Sequence, residues 1–117
     1  MLAKSSIYMK NLKIDPTAII YPGAKLGLGS IVEPFCLIGI RDRFHPDAKT
    51  KIGRDSFIGS RSTIYCAVTA GDRFDVSDQT TVFYDNKFGD DCRIGPKTVI
   101  KKGCRLGSNN RINSQVF

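Results

Sequence analysis

The chain has no tryptophan, one histidine, four cysteines and no long apolar run, and each scarcity removes a class of answer. A single histidine, His45, excludes a catalytic zinc held by three imidazoles. Cys36, Cys66, Cys92 and Cys104 form no C-x-x-C pair and no zinc-ligand spacing, so they read as reduced packing residues. No stretch approaches the about 18 consecutive apolar residues of a membrane-spanning helix. Met1 to Lys13 carries scattered charge and lacks an apolar core, so it is not a secretory signal, and the expected compartment is the cytoplasm. Acidic residues are missing from Arg93 to Phe117, which holds six bases: Arg93, Lys97, Lys101, Lys102, Arg105 and Arg111. With a net charge of +7 this favours an anionic partner. No aromatic stacking platform or known motif accompanies the bases, so nucleic acid is disfavoured.

What is present is a period. Stepping by six from Ile52 gives Ile58, Ile64, Ala70, Val76, Val82, Phe88, Ile94, Ile100, Leu106 and Ile112, all apolar. At 41% apolar residues, chance yields such a run about once in twenty thousand trials, so the repeat organises the chain. Upstream the step continues through Ile14, Ile20, Leu26, Val32 and Ile38. Glycine often follows the apolar residue, as at Gly27, Gly53, Gly59, Gly71, Gly89, Gly95 and Gly107. It suits a corner where a side chain would clash or where φ must be positive. Four positions after the apolar residue stand small ones, among them Ser30, Cys36, Ser56, Ser62, Thr80, Cys92, Thr98 and Val116, with Phe74, Asn86 and Asn110 as exceptions.

A helical period cannot generate this spacing, but short strands joined by tight corners do. Three hexads close a triangular coil, so residues 18 apart stack. The predicted fold is therefore an all-β parallel β-helix of five to six coils over residues 14–117. Residues 1–13 form an N-terminal cap, with Leu12 and Ile7 folded over the first coil. Three apolar ladders follow: Ile52, Ala70, Phe88, Leu106; then Ile58, Val76, Ile94, Ile112; then Ile64, Val82, Ile100. Fourteen residues separate Ile38 from Ile52, two hexads plus two, which marks an excursion over 40–51 containing His45 and Pro46. The repeat is still in phase at Phe117, so the last coil is expected to meet another subunit or, preferably, further chain.

The repeats, of the form [LIV]-G-x-x-[small]-x, resemble those of the hexapeptide-repeat acyltransferases. The likeness is greatest to sugar and nucleotide-sugar acetyltransferases, over Ile52 to Phe117. It rests on Ile64-Tyr65, Gly71-Asp72, Phe74, Gly89-Asp90, Ile94-Gly95, Gly103-Cys104 and Leu106-Gly107. The resemblance implies a left-handed coil, a homotrimer and acetyl-CoA as co-substrate, bound in a cleft between subunits. It also implies a histidine that deprotonates a sugar hydroxyl or amine. Where the family's Gly-His dipeptide would fall, this sequence has Ser77-Asp78, and a carboxylate is a weaker base than imidazole by about two pKa units.

Candidate bases are thus Asp78 and His45. Lys101, Lys102, Arg105 and Arg111 are candidates for the CoA phosphates. Arg41 and Arg43 are candidates for a phosphate of the acceptor, with Phe44 anchoring their loop on the β-helix wall. No metal is expected. The rival reading is a non-catalytic scaffold, in which Asp78 is a corner aspartate bonding backbone amides and His45 a solvent-exposed loop residue.

Overall fold

A computed structural model describes residues 12–41, 43–44 and 47–113, so the expectations for Ile7, His45, Pro46 and Val116 lie outside the described residues. The first coil holds β1 (Lys13–Ile14), β2 (Ile19–Ile20) and β3 (Ala24–Leu26). The second holds β4 (Ile31–Val32), β5 (Leu37–Ile40) and β6 (Thr50–Ile52). The third holds β7 (Phe57–Ile58), β8 (Thr63–Tyr65) and β9 (Val68–Ala70), and the fourth β10 (Asp75–Val76), β11 (Thr81–Val82) and β12 (Asn86–Phe88). The fifth holds β13 (Arg93–Ile94), β14 (Val99–Ile100) and β15 (Arg105–Leu106), and β16 (Arg111–Ile112) begins another. Every pairing is parallel and joins strands three apart, and there is no helix among the described residues. The product is a β-solenoid with three walls.

The three predicted ladders are the register of the walls. Ile58, Val76, Ile94 and Ile112 align on the first wall. Ile64, Val82 and Ile100 align on the second, and Ile52, Ala70, Phe88 and Leu106 on the third. These side chains fill one core from Ile14 to Ile100, with Leu106 and Ile112 half-buried at its lower end. Leu12 is buried at the upper end.

The excursion counts differently from the arithmetic of the sequence. Leu26 lies in register with Ile52, 26 positions away where 18 is the rule, so the insertion is eight residues and the fourteen from Ile38 to Ile52 are one hexad plus eight. Ile38 and Ile64 show the same offset. The extra residues leave between β5 and β6, where β5 carries a register shift at Ile38/Ile40.

The corners separate two roles offered to glycine. Positive φ falls once per hexad, three residues after the apolar position, and mostly on side chains other than glycine: Asp55, Arg61, Ala67, Arg73, Gln79, Asp85, Asp91 and Lys97 all lie between 54° and 60°. The glycine that directly follows the apolar residue has an ordinary φ in the regular coils and is there for space. A Cβ on Gly53 would stand 2.5 Å from the carbonyl carbon and oxygen of Gly71 in the next coil, and one on Gly27 2.5 Å from the Arg54 amide nitrogen.

The small-residue phase is a polar spine inside the coil. The Ser56 hydroxyl donates to the Gly53 carbonyl at 2.9 Å and accepts from the Phe74 amide of the next coil at 3.1 Å. Ser62 accepts likewise from Thr80 at 3.2 Å. Asn86, an exception in the sequence pattern, does the same work: its amide donates to the Phe83 carbonyl at 2.6 Å, and its oxygen accepts from the Cys104 amide at 2.7 Å. Phe74 instead packs on Phe88, with ring centroids 4.9 Å apart. Cys36, Cys66 and Cys92 are buried, and Cys104 is half-buried. Burial pushes the Cys36 thiol above its ordinary pKa, and the thiol donates to the Gly59 carbonyl at 3.0 Å.

Candidate functional site

The hexad alternation gives each wall one outward residue per coil, so the surface chemistry is arranged in rows. On the second wall the row is Ile19, Leu37, Thr63, Thr81 and Val99, with no charge. The first wall carries Phe57, Asp75, Arg93 and Arg111, and Arg93 reaches the Asp75 carboxylate at 3.9 Å. The third carries Lys25, Lys51, Thr69, Lys87 and Arg105.

The edge between the second and third walls gathers most of the proposed binding groups. The excursion leaves from it, and Arg41 lines a depression there with Pro22, Gly23, Asp47, Ala48 and Lys49. Below it, Tyr65 stacks on Phe83 at 4.9 Å. Lower still come Lys101 and Lys102, the latter with its ammonium 5.8 Å from the centre of the Tyr84 ring. Arg105 is adjacent, and its guanidinium donates to the Asp85 carbonyl and carboxylate, both at 2.8 Å. Arg43 lies over the Phe44 ring at 5.0 Å. Phe44 is 69% exposed, so it does not anchor the excursion on the wall as expected; its only ring contact among the described residues is that arginine.

Two predicted residues stand elsewhere. Arg111 is on the first wall beside Arg93, in a groove lined also by Arg73, Asp75, Asp91 and Asn109. The Arg73 guanidinium there holds the Asp91 carboxyl below its ordinary pKa through a direct hydrogen bond, and is itself held protonated. Asp78 sits at the corner between the first and second walls, where its carboxylate accepts from the Ser60 amide of the preceding coil at 3.1 Å. Asp72 and Asp90 occupy the equivalent place at another corner, accepting from Arg54 and Asp72 amides at 2.8 Å. No group of three or more metal-ligating side chains occurs among the described residues, and no helix long and apolar enough to cross a membrane occurs among them.

No protein-family model matches the chain. In sequence it is 32% identical over 104 residues to the bifunctional protein GlmU of Staphylococcus haemolyticus, an alignment covering 88% of this chain. The chain belongs to the hexapeptide-repeat acetyltransferase family. It spans about a fifth of that relative's length, 21%. In fold, the hexapeptide-repeat chain is similar to the acetyltransferase domain of PglB from Neisseria gonorrhoeae, solved in complex with acetyl coenzyme A. The TM-score is 0.78 at 16% identity, covering 96% of this chain and 51% of the other. It is also similar to PerB from Caulobacter crescentus in complex with CoA and GDP-perosamine, with a TM-score of 0.59 at 21% identity, covering 92% and 56%.

Arg93 and the Tyr65–Phe83 stack were not singled out as site residues by the sequence. The register of the hexads carries the signal for both, since outward neighbours lie 18 apart.

Proposed function

We propose that this chain supplies the cofactor-binding β-helix of an acetyl-CoA-dependent transferase acting on a sugar or nucleotide-sugar hydroxyl or amine. The reading is carried by the GlmU-like sequence running through nearly all of the coil, and the two solved neighbours bound to CoA species support it. The CoA phosphates are assigned to Lys101, Lys102 and Arg105, which share one edge with the excursion. Arg111 stands on another wall and would meet the same cofactor only across a subunit boundary. Arg41 and Arg43 are assigned to a phosphate of the acceptor.

In the reaction the acceptor oxygen or nitrogen attacks the thioester carbonyl, a base takes its proton, and the CoA sulfur leaves. Of the two candidate bases we assign His45, because the Asp78 carboxylate already braces a backbone amide in the manner of Asp72 and Asp90. His45→Ala is expected to lower turnover roughly 10²–10⁴-fold, the usual range for a positioned general base. Asp78→Asn, which keeps the accepting oxygen, is expected to leave turnover unchanged; the opposite pair of results would transfer the role to Asp78. The scaffold reading is favoured by one observation, that same brace, and acetyl-CoA decides between them. Calorimetric titration should show binding, and none at millimolar cofactor would remove the enzyme reading.

We assign a homotrimer packed through the second wall, whose uncharged row is the natural surface to bury. Ile19, 44% exposed, begins that row. Ile19→Lys with Thr81→Lys should convert the assembly to monomer by light scattering while circular dichroism is retained. An unchanged mass would place the interface on another wall.

A further inference from the structure

The third wall carries a row of which the transferase reading uses only the last residue, Arg105. Its outward row runs Lys25, Lys51, Thr69, Lys87, Arg105 in unbroken register, and all five are exposed. Lys25 faces Lys51 directly and Lys87 faces Arg105 directly. Like charges placed opposite each other on neighbouring strands are unfavourable. The second wall's row is uncharged, and the first has one such pair, Arg93 opposite Arg111, with Asp75 set against Arg93 on its other side. Lys25, Lys51 and Lys87 make no ion pair among the described residues. Three lysines kept in single file, with only Arg105 of the row paired internally, are matched to something anionic from outside.

We propose that this wall binds an acidic polysaccharide, laid along the solenoid axis with its carboxylates on successive rungs. Rungs repeat every about 4.8 Å, close to the length of one sugar ring in an extended chain, so a polyuronate presents roughly one charge per rung. Three features select this occupant. First, the free cations are lysines, compact point charges suited to single carboxylates. The one guanidinium, Arg105, is shared with the cofactor edge and is held by Asp85. Second, the row holds no aromatic ring on which a nucleic-acid base would stack. Third, the stripe is bounded by acids on one side. Asp72 and Asp90 lie along one border, so a flat anionic membrane pressed on the wall would meet acids as well as bases, whereas a linear chain follows the row alone. Thr69, at the middle rung, offers a hydroxyl to the ring oxygens and hydroxyls of the sugar.

The test is fluorescence anisotropy with a labelled oligogalacturonate long enough to span the row, on the full chain. Binding should weaken as salt rises, and neutral oligogalactan of equal length should not bind. Lys51→Glu with Lys87→Glu should weaken binding at least roughly tenfold, as loss and reversal of two desolvated contacts requires. Arg93→Glu, which changes the first wall by the same kind of charge, should leave it unaltered. Circular dichroism of each variant reports folding, and Lys51→Gln with Lys87→Gln supplies a milder pair should the reversal unfold the chain. Acetyl-CoA shares only Arg105 with the row, so excess cofactor should leave the polymer bound through Lys25, Lys51 and Lys87; complete displacement would overturn the site. Equal affinity for poly(dT) or for phosphatidylserine vesicles would overturn the choice of polysaccharide. Insensitivity to both lysine pairs would overturn the site.

Discussion

Gly53→Ala is expected to destabilise the chain by about 3 kcal/mol, the upper part of the range for overpacking, while Gly107→Ala leaves it nearly unchanged. Both glycines hold the same place in the hexad, directly after an inward apolar residue, and neither has a positive φ. They differ in what lies beneath. The added methyl at Gly53 meets the Gly71 carbonyl at 2.5 Å, and backbone paired in register cannot give way without opening the ladder around it. At Gly107 nothing lies within 4 Å. Thermal unfolding measures the contrast directly. For a domain of this size the loss corresponds to a midpoint lower by on the order of 10–20 °C. Equal tolerance at the two positions would mean that glycine is retained for conformational freedom rather than for clearance.

Asn86→Ala is expected to cost a similar amount, about 3 kcal/mol, because it strands two backbone groups at once. The Phe83 carbonyl loses its donor and the Cys104 amide loses its acceptor, at a side chain with 0% exposure. Asn86→Ser should recover most of the loss. Ser56 makes the equivalent bonds, one to the carbonyl three residues before it and one from the amide 18 residues after it. Urea denaturation of the three proteins ranks them. If serine proves no better than alanine, the spine is a packing device and its hydrogen bonds add little.

These two sites show how far the pattern in the chain can be followed. The inward ladders were legible because one apolar residue every six positions has no other economical explanation, and Ile58, Val76 and Ile94 stack as that spacing demands. Asn86 looked like a defect because composition distinguishes large polar from small polar residues, whereas the coil asks only for a donor and an acceptor at set places. Positive φ was hidden for a related reason. Asp55, Arg61, Ala67 and Arg73 do not advertise a left-handed conformation, and the close stacking of neighbouring coils imposes it on them. The site was less visible. Arg41, Lys101, Lys102 and Arg105 are scattered over 65 positions, and only their corner phase brings them to one edge. Asp78 was visible as a residue, but its bond to Ser60 links coils 18 positions apart and depends on the coil being closed.

The sequence by itself determined the solenoid and the membership of its three ladders, since burial of every sixth side chain is a local, periodic demand that a string of residues expresses directly. Tertiary structure alone decided which outward residues share a wall, how many residues the excursion adds and which carboxylates serve as corner braces. Those properties depend on contacts between successive coils, and such contacts exist only once the chain has turned through three corners and returned above itself.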